Sequence, residues 1–249
     1  MFKAIRVRIS QGSQTLPDPR QAKPVGLRGT PVVGAAACAS GCQACVTACP
    51  SAAITLAPLQ IDLGRCVMCG DCAPPCPSAK LSFSSAFQLA STDRAGLLIS
   101  AERPAPDPVR VSAAIRSRFG RSLKLRSVSA GGCNGCELEV NALTNVNFDF
   151  SRFGIDIVAS PRHADGLVLT GPITRNMAQA LQLCWDAMPD PKLVIAVGAC
   201  AISGGLFEDS PALDRAFLQR FQPTLFVPGC PPHPLTLLCG LLDLLGIPS

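Results

Sequence analysis

The chain has 249 residues, 48% of them hydrophobic and 16% charged, with fourteen cysteines and a net charge of +5. This balance excludes a disordered or fibrous chain, and the longest apolar run, LTLLCGLLDLLGI at 235–247, is too short for a membrane span and contains Asp243. Residues 1–126 hold sixteen Lys/Arg against six Asp/Glu and residues 127–249 six against eleven, so the basic half suits nucleic acid, an acidic partner or bound anionic groups.

The opening MFKAIRVRIS is basic and lacks the apolar core of a signal peptide. A reduced, cytosolic setting is therefore expected, where clustered cysteines are more often metal or redox ligands than disulfides. An internal repeat follows. CQACVTACPSAA (42–53) superimposes on CGDCAPPCPSAK (69–80) at an offset of 27 residues, with Cys42 on Cys69, Cys45 on Cys72 and Cys49-Pro50 on Cys76-Pro77. Short strands are predicted at AITLA and KLSFS. The unit has too little apolar core to fold without bound inorganic material.

Residues 101–120 are rich in Pro and Arg and read as a linker, with Pro104, Pro106 and Pro108 within five positions. The expected domains are 1–100, with an extended N-terminal arm, and 121–249. Beyond the linker, strands are predicted at SLKLRSVS, GIDIVAS, GLVLTG, KLVIAVG and PTLFVPG. Helices are predicted from CELEVNALTN, ITRNMAQALQLCWDAM and PLTLLCGLLDLLG. Short apolar strands alternating with helices predict a three-layer α/β domain with a parallel sheet. Three strands lead into cysteine, so Cys133, Cys136, Cys200 and Cys230 are expected to converge at the carboxyl ends of the sheet.

Cys66, Cys69, Cys72 and Cys76-Pro77 match C-x2-C-x2-C-x3-C-P, a pattern in which three thiolates wrap one 4Fe–4S cluster and the fourth ligates another. One set is therefore Cys66, Cys69, Cys72 and Cys49, and the other Cys38, Cys42, Cys45 and Cys76. Three residues separate Cys38 from Cys42 instead of two, and Gly41 is suited to absorb the extra one. Zinc bound by CxxC pairs in a structural or nucleic-acid module is the weaker alternative, because zinc needs neither three cysteines in one wrap nor a repeated Cys-Pro. A thioredoxin-type dithiol at Cys133 and Cys136 is weakened by the cysteines at two further strand ends. Cys184 and Cys239 read as buried structural thiols, Asp165 and Asp186 as solvated or capping carboxylates, and His233 as a loop residue. With no Tyr and one Trp, the chain lacks aromatic platforms for nucleic acid, and two anionic clusters offset part of the +10 of the basic half.

Residues 1–100, through IRVRISQGSQTLP, LRGTPVV and both cysteine motifs, resemble the two-cluster ferredoxin subunit of complex I and of energy-converting hydrogenases. Residues 115–249, through FGRSLKLRSVSAGGCNGCELE, RFGIDIVASPRHADGLVLTGPIT, PDPKLVIAVGACAISGG and PGCPP, resemble the small electron-transfer subunit of the same assemblies. The resemblance implies a fused chain with an α+β ferredoxin-like domain, a flavodoxin-like α/β domain and three 4Fe–4S clusters, the third on Cys133, Cys136, Cys200 and Cys230. It implies a non-catalytic subunit of an oxidoreductase, held by partner subunits at the cytoplasmic face of the cell membrane, with a nickel–iron or complex I D-like large subunit and an upstream electron donor. Arg162 and His163 are implied near the third cluster, and Glu137 as a proton relay. The Cys133–Cys136 spacing, where complex I has adjacent cysteines, favours a hydrogenase of the formate hydrogenlyase type over a quinone reductase or a nickel-free relative. Ala199 stands where many relatives have Asp, and FEDSPALDRAFLQRFQPT departs from the usual pattern before PGCPP.

Overall fold

The computed structural model describes residues 2–248. Its first element corrects an expectation: Phe2–Gln11 (α1) is a helix rather than part of an extended arm, and none of its residues is buried. The run contains neither Pro nor Gly, and Arg8 in the last turn complements the helix dipole. The irregular arm is confined to residues 12–30, interrupted by a 3-10 turn at Pro19–Gln21 that Asp18 caps by accepting from the Arg20 N–H. Arg20 then reaches Asp243 near the other end of the chain, 2.7 Å away.

The cysteine repeat is one strand–loop–strand unit made twice. Pro31–Val33 (β1), Ala44–Thr47 (α2) and Ile54–Leu56 (β2) form the first, and Leu59–Asp62 (β3) and Leu81–Phe83 (β4) bracket the second. β1 pairs with β4 and β2 with β3, both antiparallel, so the units clasp each other with pseudo-twofold symmetry. The repeat is written in the backbone too. Ala52 and Ala79 have φ of 48° and 45°, and Gly41 and Met68 have φ of 69° and 56°. Three of these four are not glycine, so strain is held at matching places in each loop. Leu98–Ser100 (β5), which sequence pattern did not reveal, adds to β3 as a third antiparallel strand.

Residues 101–112 carry no regular element, but Ala113–Phe119 (α3) is a helix inside the stretch read as linker. Ser112 caps it by accepting the Ile115 N–H at 3.0 Å, and its apolar side is held against the last helix of the chain.

Leu123–Ser129 (β6) opens the large sheet, followed by Gly135–Ala142 (α4), Ile155–Ile157 (β7), Gly166–Thr170 (β8) and Arg175–Asp186 (α5). Leu193–Val197 (β9), Ala199–Ser203 (α6), Ala216–Arg220 (α7), Leu225–Val227 (β10) and Pro234–Leu245 (α8) complete it. All five strands are parallel in the order β10-β9-β8-β6-β7, a flavodoxin-like α/β arrangement. Every residue of β8 and β9 is buried, as expected of central strands covered on both faces. Val168, Ile195, Val197 and Leu225 pack with the leucines of α8 and with Phe119 of α3. Leu167, Leu169, Val194 and Phe226 face Leu181 and Trp185 of α5 and Phe217 of α7.

This second apolar cluster runs without a break into Ile54, Ile61, Leu63, Leu97 and Ile99 of the cysteine-repeat half, so the two halves share a core. Ser91 exchanges both backbone hydrogen bonds with Phe226, at 3.0 and 2.8 Å, and so covers the β10 edge of the sheet. Asp62 ties the junction. It accepts from both guanidinium nitrogens of Arg94 at 2.8 and 2.6 Å and from the Gly64 N–H at 2.8 Å. Arg65 crosses to Glu208. Gly64 keeps this junction close, since a Cβ would lie 2.8 Å from the Arg94 guanidinium carbon and from the Ile202 side chain, which would have to shift. Asp62→Ala is expected to lower unfolding free energy by about 2 kcal/mol, the scale of hydrogen bonds to a charged group. Chemical denaturation with Asp62→Asn as the milder comparison measures it, and equal stability of all three proteins would remove the pair from the junction.

Candidate functional site

At the carboxyl ends of the large sheet the direction of the strand order reverses between β6 and β8, the place where open α/β sheets leave a crevice. Two glycine loops meet there. A Cβ on Gly171 would lie 2.6 Å from the Gly132 nitrogen, and Gly131 and Gly171 have φ of 88° and 80°. This close approach and the positive φ explain the first two glycines of GGCNGC, Gly131 and Gly132. Asn134, at φ 72°, turns the chain into α4, which puts Cys133 before the helix and Cys136 in its first turn. Cys200 follows β9 in α6, and Cys230 follows β10.

The four thiols share one electrostatic neighbourhood. Burial pushes Cys136 up to about 12, with Glu137, Cys200, Cys230 and Cys133 adding to it. Burial pushes Cys200 to about 11, reinforced by Cys230 and Cys133. Cys230 is raised by burial, then by Cys133 and by Cys69 of the other half. Gly198, at φ 89°, sits so close that a Cβ would lie 2.5 Å from the Cys136 sulfur.

The repeat forms two further groups. Burial raises Cys66 to about 12, and the contributing thiols are Cys49, Cys72 and Cys69. Burial raises Cys72 to about 11, with Cys49, Cys69 and then Cys45 adding. Cys49, Cys66, Cys69 and Cys72 also line one small cavity with Ile54, Ile61 and Phe83. Burial raises Cys45, with Cys76 and Cys38 adding, so the exposed Cys38 lies in that neighbourhood despite its shifted spacing; Cys42 is on the same loop. The N–H groups of Ala53 and Lys80 point at the sulfurs of Cys49 and Cys76, each at 3.3 Å. No three His, Cys, Asp or Glu among the described residues are grouped to hold a single metal ion.

Glu137 is half-buried behind Cys136. Burial raises its pKa, but hydrogen bonds from Ser129, Thr170 (2.7 Å) and its own backbone outweigh this and hold the carboxyl below its usual value. Arg162 and His163 are exposed in the 3-10 turn Pro161–His163 beyond edge strand β7, and no side-chain hydrogen bond or ion pair among the described residues joins either to a cysteine. Cys184 is raised chiefly by burial, opposed by Arg126, and Cys239 is buried in α8. Asp165 caps the backbone by accepting the Lys124 N–H at 2.8 Å, and Asp186 accepts from Gln182 at 2.7 Å. His233 is more than a loop residue: its Nδ1 accepts the Leu235 N–H at 3.1 Å and caps α8.

Two arginines escaped the sequence reading. Arg28 donates to the carbonyl of Cys69 and, at 3.4 Å, to that of Met68. With Met68 it faces Cys230 and His233 across a groove between the halves. Arg215 donates to the carbonyls of Pro172, Cys200, Ala201 and Ile202 at 2.8–3.2 Å. Their partners are backbone carbonyls far away in sequence, which no motif spacing encodes.

Residues 133–244 match the family model described as NADH ubiquinone oxidoreductase, 20 Kd subunit. Over 125 residues the chain is 45% identical to a probable membrane-bound hydrogenase subunit, mbhJ, of Pyrococcus furiosus, covering 50% of this chain and 74% of that one. It is 41% identical over 137 residues to formate hydrogenlyase subunit 7 of Escherichia coli, covering 55% of this chain and 54% of the relative. It is 42% identical over 128 residues to a subunit of the NADH-quinone oxidoreductase of Phocaeicola vulgatus, covering 51% and 64%. These relatives are subunits of oxidoreductase complexes.

The buried thiols give the metal-free chain a defined pH response. Folded Cys66 and Cys136 stay neutral to about 12, whereas unfolded thiols ionise near 9.0. Below that value both states are protonated; above it only the unfolded state releases protons, so stability is lost as pH rises from about 9 towards 12. The Tm of the metal-free chain is expected to fall across this window, and to fall less in the Cys66→Ala/Cys136→Ala variant. Gly198→Ala should cost about 1–3 kcal/mol, because alanine is strained at this φ and displaces the Cys136 sulfur. Thermal unfolding checks it, and an unchanged Tm would refute the close approach.

Proposed function

Because the chain belongs to the family of the NADH ubiquinone oxidoreductase 20 Kd subunit, we propose that it is the iron–sulfur electron-transfer subunit of a multisubunit, membrane-associated nickel–iron hydrogenase of the formate hydrogenlyase type. A two-cluster ferredoxin-like domain is fused ahead of the family domain. What supports this reading is three neighbourhoods of cysteines, to which eleven contribute directly and Cys42 by its place on the first loop. Cys38, Cys42, Cys45 and Cys76 are the first, Cys49, Cys66, Cys69 and Cys72 the second, and Cys133, Cys136, Cys200 and Cys230 the third.

Each set offers a 4Fe–4S cluster the right donor type and number, and a bound cluster would supply one-electron transfer without bond making. The rest is the work of the chain. Glycine and left-handed turns let the loops wrap closely, and amide N–H groups at Cys49 and Cys76 stabilise charge on sulfur. The neighbours Cys45–Cys72 and Cys69–Cys230 give the sets a linear order, with the second in the middle.

Catalysis belongs to a separate large subunit. The third set supports this: Cys133 and Cys230 are exposed, and the elements beside Cys136 and Cys200 expose Leu138, Leu206 and Phe207. No helix among the described residues is long and apolar enough to cross a membrane. The relative named as a membrane-bound hydrogenase subunit supports attachment through partner subunits, at the cytoplasmic face. The relatives named for hydrogenase and formate hydrogenlyase favour hydrogen chemistry, as does the two-residue gap between Cys133 and Cys136. A quinone-reducing complex is the second reading, favoured by the identity to the relative named for NADH-quinone oxidoreductase.

Purified anaerobically, the chain should hold about twelve iron and twelve acid-labile sulfide, falling to about eight of each in Cys230→Ala. Zinc without sulfide would overturn the reading. Nickel in the co-purifying large subunit decides for the hydrogenase, and its absence decides for the second reading.

A further inference from the structure

Arg215 is a half-buried cation with no carboxylate of its own. Its Nη1 donates to the carbonyls of Pro172 (3.2 Å) and Cys200 (3.0 Å), and its Nη2 to those of Ala201 (2.8 Å) and Ile202 (3.0 Å). Cys200, Ala201 and Ile202 belong to α6, a helix of five residues; the Cys200 carbonyl already accepts the Gly204 N–H at 2.9 Å, and Arg215 adds a second donor there while reaching the next two carbonyls. One guanidinium thus holds the segment carrying Cys200 against the loop after β8.

Its charge is not cancelled. No ion pair among the described residues includes Arg215. The acidic side chain acting on it is Glu208, which already pairs with Arg65, and Asp62 is taken by Arg94. Three guanidiniums facing two carboxylates leave one positive charge beside Cys200. The influence is mutual: Arg215 lowers the Cys200 pKa against the larger effect of burial, and Cys200 favours charge on Arg215.

We propose that Arg215 is the positioning residue of the third thiol set, fixing the Cys200 segment through four carbonyls and supplying the fixed positive charge that raises the reduction potential of a cluster held there. The proposal rests on the reading that Cys133, Cys136, Cys200 and Cys230 hold such a cluster. Adding one electron to a thiolate-ligated cluster makes the site more negative, so a nearby cation stabilises the reduced form more than the oxidised one. A half-buried guanidinium is less screened than an exposed one, which sets Arg215 apart from Arg162. Glu208 acts in the opposite sense from the same place.

The test is a redox titration of the full, cluster-loaded chain followed by electron paramagnetic resonance. The signal absent from Cys230→Ala is assigned to the third set. If that variant loses neither signal nor iron, the underlying cluster reading fails, whatever Arg215 does. Given the signal, Arg215→Gln should shift its potential negative by about tenfold in the one-electron equilibrium, ~59 mV. Arg215→Lys keeps the charge without the planar fork, so it should hold the potential near wild type while cluster content falls. Glu208→Gln should shift the potential positive, and it decides the matter where Arg215→Gln fails to load. An unmoved potential in both neutral variants, or equal shifts in Arg215→Lys and Arg215→Gln, overturns the proposal.

Discussion

Buried thiols govern this molecule. Cys66 and Cys136 are pushed to about 12 and Cys72 and Cys200 to about 11, in each case first by burial, with nearby thiols and, for Cys136, the Glu137 carboxylate adding to it. A thiol must lose its proton to act as a ligand, so folding places these groups where ionisation is most costly. Only a strongly charged cationic group, or donors already fixed in place, offsets that cost. The backbone N–H groups aimed at the Cys49 and Cys76 sulfurs are such donors, and the Arg215 guanidinium, held on the Cys200 carbonyl, is such a cation; none of them is recruited from solvent.

The same requirement accounts for how the halves are joined. A small strand–loop–strand repeat whose interior is thiols has little apolar surface of its own to bury. Here its Ile54, Ile61, Leu97 and Ile99 merge with residues from the large sheet, Ser91 closes the β10 edge, and Asp62 with Arg94 locks the turn leading to Cys66. The Asp62 carbonyl accepts the Cys66 N–H at 2.9 Å, so the residue that fixes the junction also fixes a thiol. Domain docking and site geometry are therefore one constraint. Loosening the junction moves Cys69 relative to Cys230.

Much of this was legible in the sequence because it is local. The five strands of the parallel sheet and the helices α4, α5 and α8 follow hydrophobic pattern, and the convergence of Cys133, Cys136, Cys200 and Cys230 follows from strands that run into cysteine. What stayed hidden is long-range. β3 and β5 are short, and they become strands by pairing with each other and with β2, a partnership that pattern alone does not specify. α3 was masked by the Pro and Arg content of its surroundings, although Ser112 is a good cap. Arg28 and Arg215 were hidden because carbonyls leave no trace in side-chain spacing.

Cys38 shows how backbone conformation settles what spacing left open. Gly41 was the residue suited to absorb the extra position between Cys38 and Cys42, yet its φ of 69° is matched by 56° at Met68, its counterpart in the unexpanded loop. The left-handed turn therefore belongs to the repeat itself and absorbs nothing. The additional residue falls within Ala39 and Ser40, ahead of that turn, where the Cys42 N–H closes back on the Ala39 carbonyl at 3.1 Å. Cys38 is exposed ahead of that tight turn, yet it remains among the thiols that help to raise Cys45. Glycine at position 41 adopts this φ without the steric strain that Met68 carries in the second loop, so the two halves of the repeat meet one geometric demand by different means.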